Sequence, residues 1–326
     1  MIITRTPLRL SIGGGSTDLA SYYRRFGGFA ISAAINKYVY IGINRTFTDE
    51  YFLKYSALER VGSIAEIKHP LIREALRLHS VGPAVEIVSL ADIPAGTGLG
   101  SSGAFTVGLL RAIYALRRDH ASAATVAEEA CHIEIDVLGE AVGKRDPYIA
   151  AFGGLTCFEF PPEGRVKVTP LKLSGETLNE LEENLLMFFT GSSRSASAFL
   201  ADQKARTEQG DAEMLENLHA VKDLGYRIKD ALEAGRTREF AALLDQHWMY
   251  KKSRSGDLSN DTINRWYDAA MANGALGGKL VGAGGGGFLL FFAEDRVALR
   301  RAMAQEGLAE VRFQFDHDGS AVIVRG

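Results

Sequence analysis

Between Pro94 and Gly103 the chain reads Pro-Ala-Gly-Thr-Gly-Leu-Gly-Ser-Ser-Gly, and this run limits the fold more than any other. Gly96, Gly98 and Gly100 alternate, so the backbone can take left-handed angles and come close to a ligand. An apolar helical pattern from Ala104 to Leu116 follows at once. The first N–H groups of such a helix have no partner within it, and its N-terminus carries partial positive charge. A glycine loop that opens into a helix start is therefore a phosphate cradle. The adjacent hydroxyls of Ser101 and Ser102 can reach phosphate oxygen or a hard cation. A serine-capped turn would use some of the same residues. The full order of strand, proline, glycine loop, paired serines and apolar helix is more than a cap requires. No Lys-Ser/Thr pair follows the glycines, so the loop is not of the Walker type.

Phosphoryl transfer asks little covalent chemistry of a protein. It needs a metal ion, positive charge on the phosphates and a group that orients or deprotonates the attacking hydroxyl. Glu134 and Asp146, twelve residues apart, are the candidates. Thr125 and Glu128 have capping-box spacing, and apolar residues then recur through Ala130, Ile133, Val137 and Ala141. Glu134 is a carboxylate on that core-facing helix. Asp146-Pro147 is expected to end it, since a residue before proline is pushed out of the α region. The two carboxylates could flank one site.

The opening segment, Arg5 to Asp18, reads as a strand closed by a glycine turn, with Arg9 and Asp18 nine residues apart. A carboxylate at that turn can accept hydrogen bonds from two hydroxyls. A third cluster, Lys279 to Gly287, contains Gly282, Gly284 and Gly287 in a literal G-x-G-x-x-G. A dinucleotide fingerprint must follow a strand and open a helix. Here a strand pattern, Phe288 to Phe292, follows and only 39 residues remain, so that reading fails.

Together these segments resemble the GHMP kinases (galactose, homoserine, mevalonate and phosphomevalonate kinases), whose three motifs appear in order along nearly the whole chain. The resemblance implies an α+β, two-lobed GHMP kinase fold. Its N-terminal lobe is ribosomal protein S5 domain 2-like and its C-terminal lobe ferredoxin-like. It implies ATP and Mg²⁺ as cofactors. The ATP phosphates fall to Pro94, Gly96, Gly98, Leu99, Gly100, Ser101, Ser102 and Gly103, and the metal to Ser102 and Glu134. Asp146 takes the proton from the acceptor hydroxyl, with Arg9 assisting. Gly14, Gly15, Ser16, Thr17 and Asp18 contact the sugar, and the loop with Gly284 and Gly285 shapes the pockets. Family members often carry Gly-Lys-Gln-Asp-Gln-Tyr where this chain has Gly143-Lys-Arg-Asp-Pro-Tyr148. Arg145 could therefore lower the Asp146 pKa or contact phosphate.

The Gly-Gly-Gly-Ser-Thr-Asp wording, with Tyr22, Tyr23, Phe26, Gly27, Gly28 and the stretch Thr190 to Ser197, resembles the branch that phosphorylates heptose 7-phosphates and fucose at the anomeric hydroxyl. It implies D-glycero-D-manno-heptose 7-phosphate as acceptor, for nucleotide-activated heptose synthesis. A sugar phosphate needs cations, and Arg194 in its serine-rich turn is the first candidate, ahead of Arg24, Arg25, Lys251, Lys252 and Arg254. A kinase of a free sugar such as fucose, and a catalytically silent ligand sensor, remain alternatives.

Composition fits. Lys and Arg number 37 against 40 Asp and Glu, which gives no electrostatic case for nucleic acid or an anionic membrane. Two cysteines, Cys131 and Cys157, neither in a C-x-x-C pair, argue against a disulfide framework or a zinc site, and a reducing cytoplasm is expected. Arg5 and Arg9 interrupt the first apolar stretch, unlike a signal peptide. A homodimer is compatible with all of this. The lobes are expected at residues 1–173 and 174–326, with Val166 to Leu173 closing the first and a strand pair near Val311 to Val324 ending the second.

Overall fold

The computed structural model describes residues 1–191, 197–254, 258–282 and 284–326. The chain opens with β1 (Ile2–Gly14), α1 (Ala20–Phe26), β2 (Gly28–Arg45), β3 (Tyr51–Lys54), β4 (Leu58–Val61), α2 (Pro70–Leu78) and β5 (Val85–Ala91). It continues through α3 (Ser101–Arg117), α4 (Ala123–Cys131), α5 (Arg145–Phe152), β6 (Leu155–Phe160), β7 (Lys167–Pro170), α6 (Gly175–Asn184) and β8 (Leu185–Phe189). The remainder is α7 (Ser197–Glu208), α8 (Ala212–Glu233), α9 (Thr237–Ser253), α10 (Asp261–Met271), β9 (Ala275–Val281), β10 (Phe288–Ala293), α11 (Arg296–Gln305), β11 (Ala309–Glu310) and β12 (Ala321–Arg325).

Two sheets organise these elements. The larger has the order β12-β1-β2-β5-β3-β4, with β6 and β7 branching from β2. β2 is 18 residues long and lies along β1. Its other edge is shared, with β6 taking Gly28 to Ala33 and β5 taking Val39 to Arg45. The smaller sheet is antiparallel, β11-β8-β10-β9. The two terminal strands are not a pair: β11 joins β8 in the small sheet, whereas β12 returns to the first strand of the large one. Each extends an edge whose backbone groups would otherwise lack partners.

Burial explains the apolar patterns. In β10, Phe288, Leu290 and Phe292 enter the main core while Leu289, Phe291 and Ala293 enter a second one with Trp248, Tyr267 and Met303. A strand covered on both faces reads as an unbroken apolar run rather than an alternation. α3 lies close on β1 because Gly108 faces Thr6, whose Oγ1 a Cβ there would approach to 2.8 Å. Thr4 Oγ1 donates to the Gly108 carbonyl at 2.9 Å, so this buried hydroxyl is satisfied. α8 packs its Gly225 against Gly14 and Phe29, where a Cβ would meet the Gly14 nitrogen at 3.0 Å. A helix of the second half thus braces the first strand's end.

Two local expectations are corrected. The cap of α4 is Ser122, whose side chain accepts from the Thr125 N–H at 3.0 Å, so the helix starts three residues before the Thr125 pattern suggests. The helix does not run on to Asp146. It passes into a π-type turn, His132–Val137, and Asp146-Pro147 opens α5 rather than closing α4. Proline in a first turn forfeits an N–H that has no partner there.

Candidate active site

Several motifs meet at one cavity of about 520 Å³, walled by the Gly14–Asp18 turn, the Gly96–Ser102 loop, the start of α5, and side chains from α9 and β9. Gly96, Gly98 and Gly100 all have positive φ, 78°, 84° and 75°. Gly100 is left-handed at the N-cap of α3, so the free N–H end of that helix faces the cavity with Ser101 and Ser102 on its wall. Pro94 and Leu99 lie outside that wall. Leu99 is fully buried, and its carbonyl accepts from the Arg9 N–H at 2.9 Å.

The third glycine cluster supports this loop by direct backbone contact. A Cβ on Gly282 would sit 2.4 Å from the Gly98 Cα, and one on Gly98 would sit 2.8 Å from the Gly282 Cα. Both residues have positive φ. Gly287 presses on the Thr97 carbonyl in the same way. The loop lies in a hairpin between β9 and β10, and the strand after it is the one the sequence pattern predicts. Gly284 lines the cavity, while the Gly285 N–H donates to the Leu258 carbonyl at 3.1 Å. Gly282→Ala is expected to raise KM for ATP about tenfold or more, since strain at positive φ and the collision both displace the Gly98 backbone. An unchanged KM in steady-state assays would show the contact to be dispensable.

Asp146 is gripped by two arginines. Arg9 donates from Nε to Oδ1 at 2.8 Å and from Nη2 to Oδ2 at 2.6 Å, the bidentate fork. Arg145 adds Nε to Oδ1 at 3.1 Å. The Asp146 side chain keeps 28 % exposure, while those of Arg9 and Arg145 keep 5 % and 12 %. Burial would raise the Asp146 pKa, but Arg9 and then Arg145 hold it well below the usual carboxylate range. Gly103 makes this placement possible: a Cβ there would lie 2.9 Å from the Pro147 nitrogen. Behind it, Lys144 Nζ and the Tyr148 hydroxyl both donate to Glu128, fixing α5 on α4.

Glu134 sits in the π-type turn behind Ser102. Its Oε2 accepts from Ser102 Oγ at 2.6 Å. Its Oε1 is buried with no partner among the described residues. Burial drives its pKa up to about 7, against the lowering effect of the Ser102 and Thr106 hydroxyls. A buried carboxylate oxygen left open beside a hydroxyl suits a small hard cation that takes few protein ligands and completes its shell with phosphate and water.

Arg9 does not pair with Asp18. Asp18 is 5 % exposed and its Oδ2 accepts from the Arg145 N–H at 3.2 Å. Gly143 lets that loop close, since a Cβ there would lie 2.0 Å from Asp18 Oδ2. Gly14, Gly15 and Ser16 line the cavity, with Arg145 Nη1 against Gly15. Thr17 does not: it is buried, and its hydroxyl donates to the Phe29 carbonyl and accepts from the Phe29 N–H. It holds the turn on β2.

The cations came out differently from the sequence reading. Arg194 lies outside the described residues. Arg24 and Arg25 are exposed at the end of α1, and Lys252 stands over the Trp248 ring. Lys251 and Arg254, which sequence reasoning could dismiss as ordinary helix-end charges, are buried in the cavity wall beside two residues it missed, His247 and Lys279. Lys251 Nζ donates to the carbonyls of Leu280 and Gly282, fixing the third glycine loop.

A phosphate cradle facing an arginine-clamped carboxylate is equipped to move a phosphoryl group onto a hydroxyl. The chain belongs to the GHMP kinase family, ATP-dependent phosphotransferases: residues 61–154 match the GHMP kinases N-terminal domain and residues 228–308 the GHMP kinases C-terminal domain. It is 31 % identical to a D-glycero-alpha-D-manno-heptose 7-phosphate kinase of Campylobacter jejuni, over 98 % of this chain and 97 % of the other. It is 23 % identical to a bifunctional fucokinase/GDP-fucose pyrophosphorylase of Arabidopsis thaliana, over 89 % of this chain and 29 % of that protein. A crystal structure of a D-glycero-D-manno-heptose 1-phosphate kinase from Bacteroides thetaiotaomicron superposes with TM-score 0.81 and 26 % identity, covering 99 % of both chains.

Proposed function

We propose that this kinase transfers the γ-phosphoryl group of ATP to the anomeric C1 hydroxyl of D-glycero-D-manno-heptose 7-phosphate. The observation that carries the reading is Asp146, clamped by Arg9 and Arg145 and open to the cavity between the phosphate loop and the Asp18 turn. The full-length likeness to a heptose 7-phosphate kinase supports the acceptor.

The α3 N-terminus and the Gly96–Ser102 backbone orient the triphosphate. Asp18, buried and facing the cavity, accepts from sugar hydroxyls. The acceptor oxygen attacks the γ-phosphorus as the bond to the β-phosphate oxygen breaks and ADP leaves. Asp146 accepts the hydrogen bond of the attacking hydroxyl and so aims its lone pair. Its low basicity fits a loose transition state, in which the hydroxyl passes its proton late, to Asp146, once the new oxygen–phosphorus bond has made that proton acidic. Arg9 offsets charge that builds where the phosphate loop, Asp146 and acceptor meet, since its Nη1 also holds the Gly98 carbonyl. Ser102 and Glu134 would hold Mg²⁺, which would supply positive charge against the phosphates. ATP as donor and two free buried cysteines fit a cytoplasmic enzyme.

The test is ADP release with Mg²⁺ and a panel of heptose 7-phosphate, mannose, fucose and galactose. Turnover confined to the heptose phosphate is the expected result. Faster turnover with free fucose would move the acceptor to an unphosphorylated sugar, and no turnover with any of them would overturn the reading.

A further inference from the structure

Five arginine and lysine side chains line the cavity, and among the described residues only two of them have a carboxylate. Arg9 and Arg145 share Asp146. Lys251, Arg254 and Lys279 are 7 %, 5 % and 2 % exposed, and no carboxylate lies within ion-pair distance of them among the described residues. Arg254 Nε donates to Asn217 Oδ1 at 2.6 Å, and its Nη1 to Ser16 Oγ at 2.7 Å. Among the described residues Lys279 Nζ has a single hydrogen-bond partner, His247 Nδ1, at 3.4 Å. His247 Nε2 must donate, because its partner is the Gly14 carbonyl at 2.6 Å. Burial and then the facing Lys279 hold the His247 pKa well below its ordinary value, so the ring is neutral and Nδ1 accepts. Burying cations without a counter-charge is strongly unfavourable. Burial and the neighbouring cations hold the Lys251 and Lys279 pKa values well below the ordinary lysine value, and an anion from outside would restore their charge.

The nucleotide has its own phosphate site at the α3 N-terminus. Arg254 attaches elsewhere, directly to the Gly14–Ser16 turn that leads into Asp18, and Lys279 reaches the same turn through His247, on the acceptor's side of Asp146. A free sugar brings no charge there. We propose that Arg254 and Lys279 bind the phosphate the acceptor already carries, so that the second lobe selects a phosphorylated sugar over a free one. This rests on the sugar-kinase reading of the site. Lys251, committed to two carbonyls, positions the glycine loop instead of binding the phosphate.

The experiment compares wild type with Lys279→Met, Arg254→Gln and Arg254→Lys. Acceptor and ATP KM are measured, together with calorimetric binding of inorganic phosphate to protein preloaded with Mg²⁺ and a non-hydrolysable ATP analogue. Losing one buried phosphate contact should raise the KM for heptose 7-phosphate about thirtyfold or more, with KM for ATP moving far less. Arg254→Lys should recover part of the loss, and phosphate binding should weaken in parallel. Lys279→Met should also melt higher than wild type without ligand, because the cost of burying this amine, charged or neutralised, is gone. A structural role would lower the melting temperature and leave the KM ratio intact, overturning the proposal. So would an equal rise in KM for ATP, which would assign the cations to the nucleotide. Should wild type bind phosphate through these residues yet not turn over the heptose, the proposal stands and the choice of sugar fails. Should it turn over the heptose with KM unmoved in every variant, the sugar stands and the proposal fails.

Discussion

Asp146→Asn is expected to lower kcat by about three orders of magnitude while ATP still binds, the range seen when a positioned acid–base or charge-stabilising group is removed. The amide keeps the shape but presents only one oxygen to the two guanidinium groups. Asp146→Ala goes further, because it strands Arg9 and Arg145 without their carboxylate. Truncating one partner of a buried ion pair costs about 3–5 kcal/mol, so the alanine variant should also melt well below wild type. The pH dependence has a definite sign. The folded Asp146 pKa is depressed, so its stabilising contribution is present above the ordinary carboxylate pKa of about 4 and is lost only below it. The acid limb of kcat/KM should therefore not be that of Asp146. A limb that Asp146→Asn abolishes in the neutral range would contradict this.

Glu134→Gln should act in opposite directions on activity and stability. Turnover is expected to fall at least about a hundredfold, with a higher Mg²⁺ requirement, because the open carboxylate oxygen is replaced by a neutral amide. Without metal, however, the variant should be the more stable protein above neutral pH. The Glu134 pKa rises from 4.5 to about 7 on folding. Its contribution is then complete below pH 4.5 and lost as pH rises through 7, amounting to roughly 3 kcal/mol at about 1.36 kcal/mol per pH unit. Thermal melts of metal-free wild type and variant at pH 5 and pH 8 separate the cases. A variant that is less stable at pH 8 and keeps its Mg²⁺ response would place Glu134 among structural residues.

Segments whose chemistry is local were legible in the sequence. The Pro94–Gly103 run could hardly be anything but a loop and helix start, since alternating glycines, paired serines and an apolar helix dictate it. The dinucleotide reading of the Gly282–Gly287 cluster could be set aside because a strand pattern, not a helix, follows it. What escaped depends on contacts between distant segments. Asp146-Pro147 reads as a helix stop, but whether proline ends one helix or starts the next depends on Gly103 accepting its backbone. Arg9 and Asp18 lie near each other in sequence, yet Arg9 faces Asp146 across 137 residues. Lys251 and Arg254 resemble solvated charges at the end of α9, and nothing in their neighbours announces burial. Lys279 reads in sequence only as the start of a glycine motif. Three cations without carboxylate partners become visible only once strand β9 and helix α9 are set against the Gly14 turn.

The central claim is that the phosphoryl group lands on the anomeric oxygen of a sugar that keeps a phosphate at its other end. The most direct measurement is phosphorus NMR of the product made from ATP and D-glycero-D-manno-heptose 7-phosphate. The account predicts two sugar phosphate resonances of equal area, the original one and a new one coupled to the anomeric proton, growing in step with ADP. A new resonance coupled to any other ring proton, or ADP formed without a second sugar phosphate, would contradict it.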